Sequence, residues 1–329
     1  MRIDVKQASE LLRQQDNILI LAHENPDGDT LGCAYALCRA LHNLNKKARV
    51  ACADKTPHIF DFIPRGVEVQ DFEEQFIVSV DIADMSLLGD EEYAAQYRER
   101  IDLCVDHHGS NSMTAKYICM EEEPEAAACA ETVLLIIREL GAPIDEIIAR
   151  CIYVGITTDT GCFRYSNTTS RSLRMAADMV DVGLNTGKIN KLTFETRTKT
   201  YTALETLALS SMKMFFDGKC AVIKITQDMY EKSGSDESET HPITAIPRQI
   251  EGVLVGAAIK ETKDGATYKI SVRTNAPANA ANICAKMGGG GHRRAAGCAL
   301  KGRTLEEVYE TLINAIGEEL EQALKETGE

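Results

Sequence analysis

Short apolar runs alternate with amphipathic segments through the first half of the chain. The four runs that are apolar at successive positions and contain β-branched residues lie at 17–23, 47–54, 75–84 and 101–108. Such continuous apolarity is typical of strands that are covered on both faces. Other segments carry apolar residues at helical spacing and predict helices over 30–44, 126–140 and 144–159. Asp29 or Thr30 is available to cap the first of these helices. Strands that alternate with helices predict a parallel α/β sheet.

The second half of the chain predicts a smaller domain. Residues 186–214 are polar with helical spacing and predict a linker helix, and 233–242 predicts a polar loop. Strands are expected at 219–226, 250–262, 267–274 and 295–300, and a final helix at 305–326. The predicted fold class is therefore α/β, with an N-terminal parallel-sheet domain (1–185) joined by the linker helix to a smaller α/β C-terminal domain (215–329). A chain of 329 residues is long for one core, which agrees with two domains.

The charge and composition of the chain restrict the classes of partner that it can bind. The net charge of −14 disfavours a protein that follows long nucleic acid with a basic surface. The absence of Trp disfavours an extended platform for base stacking. An anionic substrate should therefore be small or be held by local cations.

The cysteines and the N-terminus indicate a compartment. The 11 cysteines include no C-x-x-C pair, and the N-terminus has no apolar signal segment. Because no run approaches 18 apolar residues either, we expect a cytoplasmic protein with reduced thiols and no membrane span.

Acids and histidines follow the predicted N-terminal strands. His23, Asp27 and Asp29 follow the first strand, Asp81 closes the third, and Asp159 closes a helix. The fourth strand ends in Asp106, His107 and His108, whereas Asp84 is expected to be an ordinary helix cap. The carboxyl ends of parallel strands meet at one edge of a sheet, so these side chains should converge. Converging carboxylates repel one another unless cations neutralise them, and oxygen and imidazole ligands suit Mn²⁺ or Mg²⁺.

In this order the motifs resemble those of the DHH phosphoesterase family, whose name-giving tripeptide is matched by Asp106-His107-His108. The resemblance implies a hydrolase of phosphate esters that uses two divalent cations, with Mn²⁺ expected and Mg²⁺ or Co²⁺ as substitutes. It assigns one ion to His23, Asp27 and Asp81, and the other to Asp29, Asp81, His107 and Asp159. The catalytic set that it implies is Asp81, His108 facing the scissile phosphate, and Asp106 behind the metal ligands.

A glycine-rich stretch near the C-terminus, "GGGGHRRAAG" at 288–297, is the second distinctive motif. Four glycines allow the backbone to approach a ligand closely, although a flexible hinge would have the same composition. The stretch resembles the signature of the C-terminal domain that accompanies the DHH domain. The resemblance implies a set of substrate-binding residues. In the C-terminal domain the set comprises Arg273, His292, Gly290 and Gly291, and in the first domain it comprises Asn111.

The size of the chain resembles that of the family's bifunctional oligoribonucleases and 3′-phosphoadenosine 5′-phosphate phosphatases. This implies that two Mn²⁺ ions share a hydroxide, which attacks short oligoribonucleotides or dinucleotides in line and releases 5′-mononucleotides. The bisphosphate nucleotide would yield AMP in the same way. The expected partners are short RNA, dinucleotides and nucleotide bisphosphates, without a membrane or long duplex nucleic acid, and a homodimer is expected from the frequency of such assemblies.

Three other functions stay open at this point. The first is a phosphodiesterase for cyclic di-AMP or its linear product pApA. The second is an inorganic pyrophosphatase. The third, from another class, is a module that binds nucleotides or RNA without catalysis.

Overall fold

The computed structural model describes residues 1–120 and 126–327, apart from the side chains of His241, Glu326 and Thr327. The chain divides into two units, Met1–Thr196 and Arg197–Glu329. Each unit contains one six-stranded sheet. The predicted α/β class is confirmed, with a parallel sheet in the first unit and a mixed sheet in the second.

The strands of the first unit all run parallel and are ordered β1-β6-β5-β4-β2-β3 across the sheet. Their bounds are β1 (Arg2–Ile3), β2 (Ile18–Leu21), β3 (Ala48–Ala51), β4 (Phe76–Val80), β5 (Leu103–Val105) and β6 (Tyr117–Cys119). Because β4 pairs with both β2 and β5, the segments that follow these three strands are neighbours at one edge of the sheet. The strands β1 and β6 were not predicted, since two or three residues are too few to show a pattern.

Helices cover both faces of this sheet, as the continuous apolarity of the strands predicted. They are α1 (Val5–Gln14), α2 (Gly28–Asn43), α3 (Glu91–Tyr97), α4 (Cys129–Leu140), α5 (Glu146–Asp159), α6 (Ser170–Asp181) and α7 (Thr186–Asn190). Ile18 and Ile20 of β2 pack into one apolar cluster. Leu19 and Leu21 pack into another on the opposite face. The strand is therefore buried on both sides.

The cap of α2 differs from the prediction. Asp27, and neither Asp29 nor Thr30, is the N-cap residue, and its Oδ1 accepts hydrogen bonds from the Asp29 and Thr30 amides at 2.9 and 3.0 Å. The helix begins earlier than predicted because Gly28 and Asp29 form its first turn. Asp29 is thus freed to point into the protein.

The helices α2 and α5 pack unusually closely. A Cβ atom on Gly32 of α2 would lie 2.5 Å from the carbonyl oxygen of Cys151 in α5. Only glycine permits this approach, which brings the start of α2 close to the end of α5. Both of these helix ends carry predicted site residues.

The second unit contains a mixed sheet ordered β11-β12-β10-β9-β8-β7, in which β8 and β9 are the parallel pair. Its strands are β7 (Lys213–Phe215), β8 (Cys220–Ile225), β9 (Val255–Glu261), β10 (Thr267–Thr274), β11 (Gly290–His292) and β12 (Ala295–Lys301). Its helices are α8 (Lys199–Ser210), α9 (Gln227–Ser233), α10 (Thr240–Ala245), α11 (Ala280–Ala285) and α12 (Leu305–Thr327). One face of the sheet packs on α11 and α12, and the other packs on α8 and α10.

Two segments differ from their predictions in this part of the chain. Residues 233–242 do not form a continuous loop, because Thr240 begins α10 and the buried Ile243 of that helix packs on the sheet. The predicted linker segment is not one helix, because it holds α7, a π-helical turn at Lys191–Glu195 and α8. The side chain of Thr198 caps α8 by accepting the amide of Tyr201. Within the described ranges no helix is both long and apolar enough to cross a membrane.

Candidate metal centre

The candidate metal-binding residues of the first unit lie at neighbouring ends of strands and helices. His23 follows β2, Asp81 follows β4, and His107 follows β5. Asp29 lies in the first turn of α2, and Asp159 is the last residue of α5. Strand order and the close packing of α2 on α5 therefore bring together residues that are far apart in the sequence.

Three groups of these side chains have potential ligand atoms within 4.8 Å of one another. The groups are His23, Asp27 and Asp81; Asp81, His107 and His108; and Asp29, His107 and Asp159. All six predicted metal ligands occur in these groups. Asp81 and His107 each belong to two groups, so the geometry suits two neighbouring ions that share ligands.

Asp81 is held in place by its backbone. It has a φ of 58°, in the left-handed region, directly after the last residue of β4. Its amide still donates to the carbonyl oxygen of Val105 on β5 at 2.9 Å. Asp tolerates this conformation better than most residues, at a cost of about 1–2 kcal/mol. The turn directs a carboxylate that is only 4% exposed into the centre of the groups.

The rings of His23 and His107 are oriented by main-chain carbonyl groups. Nδ1 of His23 lies 2.6 Å from the oxygen of Glu24, and Nδ1 of His107 lies 3.1 Å from the oxygen of Ala126. Because a carbonyl oxygen only accepts, Nδ1 carries the proton in both contacts. The Nε2 lone pairs are then free to bind a cation, which is the usual arrangement of metal-binding histidines.

The contact between Asp81 and His107 requires a positive charge. Oδ1 of Asp81 and Nε2 of His107 lie 3.5 Å apart, and both atoms are buried without a hydrogen-bond partner in the described residues. Two buried lone pairs that face each other are costly unless a cation or a proton separates them. Nε2 of His107 also lies 3.3 Å from Oδ2 of Asp159. The donor atoms therefore fit divalent metal ions.

Asp29 has a second role, as an acceptor for the start of α4. The N-cap residue of α4, Ala128, makes no side-chain capping bond. Instead the buried carboxylate of Asp29 accepts the amides of Cys129 and Ala130 at 2.6 and 3.0 Å. The positive end of α4 thus points at the candidate centre and fixes the orientation of Asp29.

Gly155 makes room for this carboxylate. A Cβ atom on Gly155 of α5 would lie 2.6 Å from Oδ1 of Asp29 and 2.6 Å from Cβ of Ala130. Sequence reasoning did not single out Gly155. The available signal was a glycine in the middle of the apolar helix that ends at Asp159, since such a glycine usually has a packing reason.

Burial and mutual repulsion dominate the electrostatics of the centre. Burial raises the pKa of Asp81 well above its usual range, and the charge of Asp29 raises it further. Burial raises the pKa of Asp29 as well. Burial, with the charges of Asp29 and Asp27, raises the pKa of Asp159 to about 9. These acids cannot all ionise together without added positive charge.

Asp27 and His23 behave differently, because they form a pair. Desolvation favours the neutral form of Asp27, although its side chain is about half exposed, but the nearby His23 ring, whose Nε2 lies 3.7 Å from Oδ1, and the amides of Thr30 and Asp29 lower the pKa of this carboxyl overall. Burial likewise disfavours the charged form of His23, but the neighbouring Asp27 carboxylate and the carbonyl oxygen of Glu24 outweigh this and raise the pKa of the imidazole.

Asp106, His108 and Asn111 form a chain beside the centre. The fully buried carboxylate of Asp106 lies 2.8 Å from Nδ1 of His108 and also accepts a hydrogen bond from the Asn111 side chain. The hydrogen bond to Asp106 raises the pKa of His108 despite its partial burial. The His108 side chain is 45% exposed, so its other ring nitrogen is accessible to a ligand. In this structure Asn111 orients Asp106, and its predicted contact with substrate stays a prediction.

The remaining predicted residues are not members of these groups. Asp84 caps a short 3-10 turn by accepting the amide of Ser86 at 2.9 Å, so its assignment as an ordinary cap is confirmed. Arg273 lies on β10 of the second unit, and Gly290, Gly291 and His292 form the exposed strand β11. Their roles in substrate binding stay predictions.

Family models match both units of the chain. Residues 17–156 match the DHH family, N-terminal domain, and residues 217–322 match the DHHA1 domain. The first match contains the strands β2 to β5 and most of the candidate ligands. The second contains β10, β11 and the glycine-rich stretch.

Named relatives resemble the chain over most of its length. The bifunctional oligoribonuclease and PAP phosphatase NrnA of Thermus thermophilus is 33% identical over 93% of this chain and 91% of its own. The cyclic-di-AMP phosphodiesterase GdpP of Geobacillus thermodenitrificans is 26% identical over 93% of this chain and 48% of its own. Among solved structures, an exopolyphosphatase-related protein from Bacteroides fragilis covers 95% of both chains with a TM-score of 0.84 and 22% identity, which supports the same fold.

Proposed function

We propose that this chain, which belongs to the DHH family and is a hydrolase acting on ester bonds, hydrolyses short oligoribonucleotides and 3′-phosphoadenosine 5′-phosphate with two divalent cations. The observation that carries the proposal is the buried contact between Asp81 and His107, whose facing lone pairs are suited to bind a cation. Its place at the carboxyl edge of a parallel sheet is where such proteins bind ligands.

The substrate class rests on the relative from Thermus thermophilus. Its name assigns it both oligoribonuclease and PAP phosphatase activity, and the match to this chain covers 91% of its length. The net charge of −14 also favours a short substrate over a long one. The likeness to a cyclic-di-AMP phosphodiesterase makes cyclic di-AMP and pApA the second candidate substrates.

One ion would be held by the group of His23, Asp27 and Asp81. The other would be held by the group of Asp29, His107 and Asp159 together with Asp81, whose Oδ1 lies 3.5 Å from Nε2 of His107. We propose Mn²⁺, because the donors are oxygen and imidazole atoms. Burial raises the pKa of the neighbouring thiols of Cys33 and Cys129, which favours the protonated form over the thiolate that binds metals. Such ions supply Lewis acidity, which lowers the pKa of the attacking water and offsets charge on the phosphoryl oxygens.

The residues of the chain then prepare the phosphoryl group for attack. Asp106 favours the protonated form of His108, which would donate a hydrogen bond to a phosphoryl oxygen and stabilise the charge that develops there. Asp106 holds the ring through Nδ1, and Asn111 holds Asp106. The preorganised donor requires no rearrangement when the bond breaks. In the second unit, Arg273, His292 and the glycine-rich strand would bind the part of the nucleotide remote from the scissile bond.

A substrate panel tests this proposal. The purified chain is incubated with Mn²⁺ and RNAs of two to five nucleotides, 3′-phosphoadenosine 5′-phosphate, pApA, cyclic di-AMP, single-stranded DNA and pyrophosphate, and the products are identified by chromatography. We expect 5′-mononucleotides from short RNA and AMP from the bisphosphate. Hydrolysis of pyrophosphate without any nucleotide hydrolysis would contradict the proposal, and so would activity that is unaffected by chelation.

A further inference from the structure

The turn that follows α5 reverses the chain through an unusual backbone conformation. Residues 161–163 have φ values of 56°, 56° and 63°, so three consecutive residues lie in the left-handed region. Such a conformation persists only where the surrounding structure fixes it, and it is most frequent beside functional sites. Here the buried Thr160 fixes the turn, because its carbonyl oxygen accepts the amide of Arg164 at 2.9 Å and its Oγ1 accepts the amide of Phe163 at 3.2 Å. The turn brings Asn167 back to the end of α5.

Asn167 joins the end of α5 to the start of α4. Its side-chain Nδ2 donates to the carbonyl oxygens of Ala127 and Asp159, each at 3.1 Å. Ala127 directly precedes the N-cap residue of α4, and Asp159 is the last residue of α5. Since an amide Nδ2 carries two hydrogens, one group can satisfy both carbonyls and hold the two segments together.

These two segments support one group of candidate ligands. The carbonyl oxygen of Ala126, next to the residue that Asn167 holds, contacts Nδ1 of His107 at 3.1 Å. The first amides of α4 bind the carboxylate of Asp29. Asp159 is itself the third member of the group. Asn167 is therefore linked to the supports of all three ligands.

The group of His23, Asp27 and Asp81 is held by other contacts. Thr30 of α2 links two of its members, because Oγ1 accepts the amide of His23 at 3.4 Å and donates to the carbonyl oxygen before Asp81 at 3.1 Å. Neither of the two hydrogen bonds of Asn167 reaches this group. Removal of the Asn167 side chain should therefore affect the two groups unequally.

We propose that Asn167 is a positioning residue for one of the two candidate cation sites. This is the site that contains Asp29, His107 and Asp159, and the inference rests on the proposed function, which supplies the cations. Asn167 fixes the distance between the two segments, so that the three ligands face one point. Partners behind metal ligands typically contribute about 10- to 100-fold to metal affinity. Without the Nδ2 donor the segments separate, and the affinity for this cation alone falls.

Titration with Mn²⁺ in two parent variants tests this selectivity. His23→Ala removes a ligand of the other site, so the ion that remains depends on Asn167, whereas His107→Ala removes a ligand of the site that Asn167 supports. Adding Asn167→Ala should weaken the remaining Mn²⁺ about 10- to 100-fold in His23→Ala and leave it unchanged in His107→Ala, as measured by calorimetry. Asn167→Gln keeps the amide donor and should recover part of the affinity.

A matched control and a metal-free measurement complete the design. Asn43, at the end of α2, also joins two segments, since its Nδ2 donates to the carbonyl oxygen of Pro143 at 3.0 Å. Asn43→Ala should leave the affinity for Mn²⁺ unchanged. In the metal-free protein, the amides of Cys129 and Ala130 should exchange their hydrogens about twofold to tenfold faster in Asn167→Ala, the effect expected from the loss of one hydrogen bond. Asn43→Ala should not change these exchange rates.

The two measurements separate this inference from the proposed function. A wild type that binds no Mn²⁺ would refute the proposed function, and the exchange rates of the metal-free protein would still decide whether Asn167 holds the start of α4. Unchanged exchange in Asn167→Ala, or equal weakening of Mn²⁺ binding in both parent variants, would overturn the role of Asn167.

Discussion

The replacement Gly155→Ala tests whether the packing of α5 sets the position of Asp29. The added Cβ atom would lie 2.6 Å from Cβ of Ala130 and from Oδ1 of Asp29. Carbon atoms in contact normally lie about 3.5–4.0 Å apart, so a displacement of about 1 Å is required. A shift of that size would break the bonds of 2.6 and 3.0 Å that join Asp29 to the start of α4.

The effects of Gly155→Ala on stability and on activity should differ in size. Overpacking lowers the free energy of unfolding by about 1–3 kcal/mol. The higher helix propensity of alanine than of glycine offsets about 1 kcal/mol of this loss. The net loss of about 0–2 kcal/mol corresponds to a fall in Tm of at most about 8 °C for a unit of this size. A misplacement of about 1 Å can reduce turnover about a hundredfold. We therefore expect a modest loss of stability and a large loss of activity.

Differential scanning fluorimetry and Mn²⁺-dependent turnover of pApA measure the two effects. Gly187→Ala is the matched control, because a Cβ atom on Gly187 of α7 would meet only Oδ1 of Asn185, at an ordinary 3.7 Å. This control should keep wild-type turnover. Wild-type turnover and metal affinity in a folded Gly155→Ala protein would refute the role given to Gly155.

Two further predictions concern charge in the centre. Asp81→Asn removes the carboxylate shared by two ligand groups, so we expect turnover to fall at least about a thousandfold, equivalent to about 4 kcal/mol. In the same variant, saturating Mn²⁺ should no longer raise the Tm, whereas in the wild type metal at 100 times its Kd should add about 2.7 kcal/mol that EDTA removes. Wild-type stabilisation by Mn²⁺ in Asp81→Asn would exclude Asp81 as a ligand. For Asp106→Asn we expect the decrease of kcat at alkaline pH to begin at a lower pH than in the wild type. Asp106 raises the pKa of His108, so the protonated ring persists to higher pH in the wild type and is lost earlier in the variant. An unchanged dependence of kcat on alkaline pH would show that the protonation of His108 does not govern turnover.

The candidate ligands could be located from the sequence because each stands where an apolar run ends. The parallel order of β2, β4 and β5 then guarantees that His23, Asp81 and His107 meet. Asp84 could be set aside for a related reason, since a residue that starts a short turn is explained by its own backbone bonds.

The contacts that join distant elements could not be predicted in this way. The bonds of Asp29 to the amides of Cys129 and Ala130 depend on how α2 packs against α4, and no local pattern encodes that packing. Asn167 lies in the turn after α5, and its hydrogen bond to Ala127 depends on the left-handed backbone that reverses the chain there. Sequence periodicity describes which face of an element is buried, but it does not describe which element covers that face.

The position of Asp81 between β2 and β5 also has a kinetic consequence. The candidate ligands come from separate stretches of the chain, and they meet only after β4 has inserted between its two neighbours. An unfolded chain offers a metal ion no complete set of ligands, so the ion cannot guide the early steps of folding. Bound metal should instead lengthen the lifetime of the native state by slowing its unfolding, while the rate of refolding stays nearly the same.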